Sequence, residues 1–277
     1  MRRWLVACAV AGGALYAWCG GGGDERATRV ATFNIEHFPR DAEQVEGAFD
    51  ELAALGAGIV AVQEITDPRL FGAAARRRLG ERWQLVHDPW RVPDHHHIGV
   101  LFDGARWRAA STRTHDGTAI GPLDLPVLEV RLADTRSGEV TRVYVVHFRP
   151  KTSGRPVRVA QHAVLARVVV AGRASGEDVV VLGDFNATEA ADRDDLAALA
   201  RAADLAWATE ALACTAFWIR PDGCARSRLD HVLTSRRPAR AEVAGGCATH
   251  GCEREDTCPA YVERVSDHCP VAVDQRD

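Results

Sequence analysis

The chain has 277 residues, of which 47% are hydrophobic and 26% are charged, and its formal net charge at pH 7 is −4. This composition is typical of a globular protein and excludes a disordered or fibrous chain, while the length suits one α/β domain of about 250 residues. The acidic balance excludes a basic surface over the whole protein, so a nucleic acid would have to be bound by a local patch.

The N-terminal segment has the pattern of an export signal. Arg2 and Arg3 form a short positive region, and an uncharged, mostly apolar stretch follows at 4–18. This stretch is short for a membrane-spanning helix and leads into the glycine run 20–23. Cys19 stands between the two and resembles the acylated cysteine of bacterial lipoproteins. We expect an extracytoplasmic protein, either secreted or anchored to the membrane through lipid at Cys19.

The cysteines also favour export. Six of them lie in the last quarter of the chain, at Cys214, Cys224, Cys247, Cys252, Cys258 and Cys269. An even number of clustered cysteines is typical of disulfides formed in an oxidising compartment, and the spacings do not match those of zinc ligands. Short closures are the first expectation, which gives Cys214–Cys224 and Cys247–Cys252 and leaves Cys258–Cys269.

Apolar periodicity and capping residues predict alternating strands and helices. Asp41 and Gln44 have the spacing of a capping box, and Gly56 ends the same helical pattern. Helices are predicted at 41–56, 67–80, 155–172 and 192–203, and strands at 29–33, 58–63, 83–86, 98–102, 107–110, 127–132, 140–148, 179–182, 229–234, 239–243 and 270–273. So few helices cannot cover both faces of one large parallel sheet, so we predict two packed sheets with helices on their outer faces.

Six short segments place acidic, amide or imidazole groups at the ends of predicted strands. They lie at 32–34, 62–64, 146–148, 183–186, 228–231 and 266–268. Each segment alone has an ordinary interpretation, such as a solvated turn or a core histidine. Together they supply hard oxygen ligands for Mg²⁺ and a histidine with a carboxylate partner, which suits an attacking water that needs a base.

This set of segments, in this order, resembles the endonuclease/exonuclease/phosphatase superfamily, which includes pancreatic-type DNases, AP endonucleases, neutral sphingomyelinases and inositol polyphosphate phosphatases. The most specific motifs are Gly183-Asp184-Phe185-Asn186 and Ser266-Asp267-His268, followed by Gln63-Glu64. The resemblance implies a DNase I-like four-layer α/β/β/α sandwich, in which two packed mixed β-sheets are flanked by helices. It divides the chain into an export signal and linker at 1–27 and a catalytic domain at 28–277.

The resemblance also implies a metal site and a catalytic group. Asn34, Glu64 and Asp267 would be ligands of Mg²⁺, with Mn²⁺ or Ca²⁺ as alternatives. The catalytic group would comprise a general base paired with an acid, a residue that orients the water, a phosphate-oxygen ligand and a phosphate or leaving-group contact; these are His268 with Asp230, Asp184, Asn186 and His147.

The substrate is indicated by the residues around and after His147. AP endonucleases carry a tyrosine in this region, so the histidine favours the DNase-like and sphingomyelinase-like branches. The basic segment that follows resembles bacterial extracellular nucleases, and Arg149, Lys151, Arg155 and Arg158 are predicted to contact successive phosphates. The alternative is that Arg155 and Arg158 are only the exposed start of a helix.

The sequence therefore predicts a monomeric nuclease with a nucleic acid substrate and no protein partner. A sphingomyelinase-type phospholipid phosphodiesterase or a phosphatase on the same scaffold is the alternative, with the apolar segment 217–219 as a short membrane contact. Trp90 and Trp218 could stack on bases or meet lipid, although packing is the commoner fate of tryptophan. The run 94–97 contains three adjacent histidines, and a solvated loop at the pocket rim is favoured over a metal site.

Overall fold

The computed structural model describes residues 28–89 and 96–276. The predicted export signal, the linker and the predicted acylation site Cys19 lie outside the described residues, as do Trp90, Asp94 and His95. The strands of the fold are β1 Thr28–Phe38, β2 Ile59–Ile65, β3 Trp83–His87, β4 His97–Asp103, β5 Trp107–His115, β6 Val127–Asp134, β7 Val140–His147, β8 Asp178–Asp184, β9 Ala206–Trp207, β10 Ala216–Arg220, β11 Gly223–Ser227, β12 Asp230–Thr234, β13 Arg237–Val243 and β14 Val271–Arg276. The helices are α1 Ala42–Leu55, α2 Pro68–Leu79, α3 Arg155–Arg173, α4 Ala190–Ala202, α5 Gly245–His250 and α6 Ala260–Arg264.

Two six-stranded mixed sheets form the centre of the protein. The first has the order β13-β14-β1-β2-β4-β3 and the second β5-β6-β7-β8-β12-β9. Apolar side chains such as Val100 and Val145 fill the space between the sheets. Phe49 and Phe71 pack α1 and α2 against the first sheet, while Leu165 of α3 contributes to the core on the outer face of the second. The predicted four-layer α/β/β/α sandwich is therefore confirmed.

The helix boundaries follow from local capping, as the sequence predicts. The Asp41 side chain accepts a hydrogen bond from the Gln44 backbone N–H at 2.8 Å, and Gly56 ends α1 with a left-handed φ of 61°. Asp67 caps α2 in the same way and Pro68 occupies its first turn. The Gln44 side chain differs from a capping box, because its Oε1 accepts from the backbone N–H of Arg40.

Strand direction brings the functional segments to one end of both sheets. β1 and β2 are parallel, and so are β7 and β8, so their carboxyl ends lie together. β12 runs antiparallel to β8 and begins at this same end, with Asp230 opposite Asp184. Gly183 permits the close approach of β7, because a Cβ at this position would lie 2.1 Å from the Val146 carbonyl oxygen.

The cysteine-rich part contains three disulfides, but the predicted pairing is wrong. The bonds are Cys214–Cys252, Cys224–Cys258 and Cys247–Cys269. Ala216 pairs with Ser227 in the β10–β11 hairpin, which the sequence did not predict. This register places Cys214 before the open end of the hairpin and Cys224 beside its turn, too far apart along the strands to bond. Three disulfides are typical of extracytoplasmic proteins.

Among the described residues, no helix has the length and apolar character that crossing a membrane requires.

Candidate active site

The convergent strand ends form the floor of a cleft of about 930 Å³. All of the predicted catalytic residues except Asp230, and the predicted metal ligands except Asn34, line it directly; these are Glu64, His147, Asp184, Asn186, Asp267 and His268. Asp230 and Asn34 are fully buried immediately behind this lining. The structure thus brings the eight predicted residues together from six segments.

His268 and Asp230 form a buried pair on the second-sheet side of the cleft. Nδ1 of His268 lies 2.8 Å from Oδ2 of Asp230, and the hydroxyl of Thr215 donates to that oxygen at 2.9 Å. The other ring nitrogen, Nε2, lies 3.8 Å from Asp184 and 3.9 Å from Asp267. Burial lowers the pKa of His268, but the surrounding carboxylates, led by Asp230, outweigh it and hold that pKa well above its usual range.

Asp184 lies between His147 and His268. Its Oδ1 accepts from the backbone N–H of Asn186 at 2.8 Å, and its Oδ2 lies 3.7 Å from Nε2 of His147. The side chain is only 2% exposed, and burial raises the pKa of its carboxyl group. Asn186 adopts a left-handed φ of 51° and donates to the Phe148 carbonyl at 3.0 Å, which fixes its position at the cleft.

Asn34 connects the carboxylates of the two sheets. Its Nδ2 donates to Glu64 at 3.1 Å and to Asp184 at 3.2 Å, while its Oδ1 accepts from the Glu36 backbone N–H at 3.1 Å. The amide nitrogen rather than the oxygen therefore faces the carboxylates. In this orientation Asn34 holds Glu64 and Asp184 in place, and the predicted contact of its oxygen with a metal would require the amide to turn over.

Glu64 is ionised at neutral pH. Burial would raise the pKa of its carboxyl group, but the imidazoles of His147, His268 and His96 lower it to about 2. Asp267 stands nearby on the loop before β14, and its backbone N–H donates to Glu36 at 3.0 Å. Burial raises the pKa of Asp267, and the charge of Glu64 raises it further.

The chemistry of this donor set fits a hard divalent cation. Carboxyl groups of Glu64, Asp184, Asp230 and Asp267 gather with the imidazoles of His147 and His268 at the floor of the cleft, which offers several oxygen donors close together. Glu64 and Asp267 would hold Mg²⁺ from the protein side, with water and substrate oxygens completing its shell. Donor atoms of Asp184, Asp230 and His268 also lie within 4.8 Å of one another, which is a second set within reach of a metal.

The four cations that were predicted to contact successive phosphates do not form a continuous row. Arg158 is 1% exposed and binds both carboxylate oxygens of Asp192 at 2.8 and 2.9 Å. Arg155 pairs with Asp195 at 2.8 Å. The interpretation of these two arginines as substrate contacts is therefore replaced by a structural one, because their charges are already compensated on α3 and α4.

Arg149 and Lys151 lie at the cleft, as predicted. The Arg149 guanidinium contacts Asp124 at 2.6 Å, whereas Lys151 is exposed at the rim and forms no ion pair with the residues that the structure describes. Arg158 donates to the backbone carbonyls of Arg149 and Lys151 at 2.8 and 2.7 Å. The buried Arg158 therefore holds the backbone of the loop that carries Arg149 and Lys151. Within this loop, Lys151 is the exposed cation.

Two histidines near Glu64 were not predicted at the site. His96 belongs to the histidine run and lines the cleft, where it is half-buried rather than fully solvated. His37 follows Asn34 by three residues and carries a left-handed φ of 53°. His97 contacts Asp88 at 3.2 Å, away from this group. The position of His37 had no sequence signal beyond its closeness to Asn34.

Two buried polar residues that hold the site, Thr215 and Ser266, were given no role by the sequence. Thr215 accepts from the backbone N–H groups of Leu229 and Asp230, at 2.9 and 3.0 Å. Ser266 donates to the Asn34 carbonyl at 2.8 Å and accepts from the His268 N–H at 3.0 Å. Ser266 is the first residue of the motif Ser266-Asp267-His268, although the sequence assigned it no role, and Thr215 had no sequence signal.

Solved structures of several different proteins have this fold. A humanised TDP2 from D. rerio superposes with a TM-score of 0.68 at 14% identity, covering 91% of this chain and 100% of that one. The human Nocturnin catalytic domain with bound sulfate gives 0.65 at 18% identity, covering 90% and 94%. A mannosyl-6-phosphatase from Bacteroides thetaiotaomicron gives 0.62 at 16% identity, covering 89% and 98%. At these identities the likeness shows a shared fold alone.

No curated protein matches the chain in sequence at a significant level. The sequence profile of the Endonuclease/Exonuclease/phosphatase family, in contrast, matches residues 31–268, which include every predicted catalytic and metal-binding residue. The chain therefore belongs to the endonuclease/exonuclease/phosphatase family, with the DNase I-like fold, and is a phosphoric-ester hydrolase.

Proposed function

We propose that the protein is a Mg²⁺-dependent nuclease that hydrolyses phosphodiester bonds of DNA or RNA outside the cytoplasm. The observation that carries this proposal is the His268–Asp230 pair, whose free Nε2 faces the cleft beside Asp184. A histidine held in this way suits the removal of a proton from an attacking water. The adjacent carboxylate of Glu64 suits the cation that such chemistry requires.

The proposed reaction follows from the positions of these side chains. A cation held by Glu64 and Asp267 would offset the carboxylates that raise the pKa of His268 and so favour an unprotonated Nε2. Asp184 orients a water, and Nε2 of His268 accepts its proton as the water oxygen bonds to phosphorus. Asp230 stabilises the resulting imidazolium through its 2.8 Å contact with Nδ1. As the bond from phosphorus to the leaving oxygen breaks, His147 and Asn186 hold the phosphate, and the leaving oxygen takes up a proton from solvent. When bound at Glu64 and Asp267, Mg²⁺ would neutralise charge on the phosphate and leaving oxygens.

The walls of the cleft favour a substrate larger than a phosphate group. Trp218 on β10 is 51% exposed and Leu123 on the facing loop is 79% exposed, and both line the cleft. An exposed tryptophan beside a phosphate site suits stacking on a nucleic acid base, and Lys151 at the rim suits a neighbouring phosphate. These two features support nucleic acid as the substrate class.

The same exposed apolar groups support the second candidate function. Trp218 and Leu123 line the cleft, and Ile219, the next residue after Trp218 on β10, is 67% exposed. Such exposed apolar groups would also suit the surface of a lipid aggregate. A sphingomyelinase-type phosphodiesterase is therefore the alternative. A phosphatase on the same scaffold would use the floor of the cleft without its walls.

The proposal also includes the export signal, with two alternatives for the exported protein: it is secreted, or it is anchored through lipid at Cys19. Three disulfides in one corner of the fold support an oxidising compartment. Metabolic labelling with a fatty acid, compared between the wild type and Cys19→Ser, separates an anchored lipoprotein from a secreted monomer.

The substrate class is tested with purified, disulfide-bonded protein. DNA, RNA, sphingomyelin vesicles and sugar phosphates are offered with Mg²⁺ and, in parallel, with EDTA. The proposal expects Mg²⁺-dependent cleavage of nucleic acid. Cleavage of vesicles or release of inorganic phosphate, with DNA and RNA left intact, would assign the alternative instead.

A further inference from the structure

The two carboxylate oxygens of Glu64 have different surroundings. Oε1 faces the catalytic group, where Asn34 donates to it at 3.1 Å and Nε2 of His147 lies 3.6 Å away. Oε2 faces a second group, because Nδ1 of His96 lies 3.7 Å from it and Nε2 of His37 lies 3.9 Å from it. One carboxylate therefore presents an oxygen to each of two sets of donors.

The two histidines of the second group also contact each other. Nε2 of His96 lies 2.7 Å from Nδ1 of His37, and the ring centroids are 4.3 Å apart in an edge-to-face arrangement. One donor atom from each of His37, Glu64 and His96 falls within 4.8 Å of the others. The side chain of His37 is 60% exposed and that of His96 is 26% exposed, so an ion can reach the group from solvent.

The backbone holds this group in conformations that residues other than glycine rarely adopt. Glu36, His37 and Glu64 have φ values of 45°, 53° and 60°. Such conformations cost free energy and are concentrated at binding and catalytic sites. The backbone N–H of His37 also donates to Oε2 of Glu64 at 3.2 Å, which ties the two segments together.

We propose that His37, His96 and Glu64 form a second cation site, which takes a divalent transition-metal ion of the Zn²⁺ or Mn²⁺ class beside the Mg²⁺ site. Two imidazoles and one carboxylate suit such ions, whereas Mg²⁺ prefers oxygen ligands. Glu64 would belong to both sites, because its Oε1 faces the catalytic group and its Oε2 faces the two histidines. The proposal concerns metal binding and does not depend on which phosphate ester is the substrate.

The experiment uses untagged, metal-stripped protein with intact disulfides. Co²⁺ is titrated in the presence of saturating Mg²⁺, and binding is followed by visible d–d absorption and by calorimetry. The wild type is expected to bind one Co²⁺ that excess Mg²⁺ does not displace and that Zn²⁺ does. His37→Asn and His96→Gln are each expected to weaken Co²⁺ binding at least about tenfold. Asparagine is chosen at position 37 because it tolerates a left-handed φ.

Two matched variants separate this site from other histidines. His87 lies in the other cluster of histidine and aspartate, with Asp88 and His97, and His250 is exposed on α5. His87→Gln and His250→Ala are expected to leave Co²⁺ binding unchanged. Circular dichroism and thermal melting establish that each variant is folded.

Retention of Co²⁺ by a folded His37→Asn/His96→Gln double variant would overturn the proposal. Loss of Co²⁺ in His87→Gln, or its displacement by Mg²⁺ in the wild type, would overturn it as well. None of these measurements uses substrate turnover, so a wrong substrate assignment leaves the result readable.

Discussion

His268 contacts Asp230 through Nδ1 at 2.8 Å and directs Nε2 toward Asp184 at 3.8 Å. The ring is thereby fixed on one side by a fully buried carboxylate and open to the cleft on the other. Thr215 donates to the same Asp230 oxygen, which prevents that carboxylate from turning away. This arrangement suits a general base, because the ring nitrogen that would accept the proton, Nε2, faces the cleft.

The first prediction is that hydrolysis depends on this group and on a metal. His268→Ala and Asp184→Ala are each expected to lower kcat at least about a hundredfold, because a positioned base and its partner are lost. EDTA is expected to abolish the remaining activity. His250→Ala is the control for a histidine outside the cleft. Undiminished turnover by the folded variants in EDTA would rule out the mechanism.

A second prediction concerns the disulfide beside the catalytic loop. Cys269 follows His268 directly and bonds to Cys247 on α5. A Cys247→Ser/Cys269→Ser double variant is expected to unfold about 2–5 kcal/mol more easily and to lose activity before it loses its fold. Non-reducing mass spectrometry of the wild type should find the six C-terminal cysteines in three bonds. Free thiols or bound zinc at these positions would contradict the structure.

The third prediction separates the cations near the cleft by salt dependence. Lys151→Ala is expected to reduce the slope of log(kcat/KM) against log[salt] by about one unit, because one phosphate contact is lost. Arg155→Ala is the matched control, since Arg155 is compensated by Asp195, and it is expected to leave the slope unchanged. If both substitutions reduced the slope by the same amount, the original interpretation of a continuous row of cations would be restored.

A fourth prediction tests the wall of the cleft. Trp218 is half exposed, and the Arg220 guanidinium stacks on its ring 4.9 Å from the centroid. If the ring stacks on a base, Trp218→Ala should raise KM roughly tenfold with little change in kcat, in line with about 1–3 kcal/mol per stacked base. Trp218→Phe should recover most of the loss. An unchanged KM for oligonucleotides would assign this side chain to another role.

The fifth prediction is a loss of stability in mild acid. Burial lowers the pKa of His162 to about 4 and that of His231 to about 3, from ordinary values of 6.5. Both rings therefore stay neutral in the folded protein where the unfolded chain binds protons. Their contribution to stability is complete above pH 6.5 and declines as the pH falls from 6.5 toward those lowered values.

The free energy of unfolding should then fall by on the order of 2 kcal/mol for each histidine as the pH is lowered from about 7.5 to about 5. Urea denaturation at constant ionic strength measures the difference. His162→Gln should remove the contribution of one histidine to the pH dependence of the unfolding free energy, even if the substitution lowers stability at neutral pH. His250→Ala, on the surface, is the control. An equal pH dependence in the His162 variant and the wild type would refute the assignment.

The sequence was sufficient for most of the elements and for the set of polar residues that gather at the cleft. Asp41, Gly56 and Asp67 mark helix ends through bonds to residues only a few positions away, so their effect is readable locally. The polar groups of Glu64 and Asp184 follow apolar strands directly, and parallel strands end on the same side of a sheet. These relationships depend on spacing along the chain, which the sequence contains.

Only the tertiary structure decided which charges remain available and which cysteines meet. Arg158 looks like an exposed cation in the sequence, but α4 brings Asp192 against it and buries the pair. The partner of Cys214 is set by the register of a hairpin and by a later loop, not by the shortest closure. His37 and His96 are 59 positions apart, yet their rings touch above Glu64. Such contacts depend on side-chain direction and on the packing of distant segments, and local periodicity contains neither.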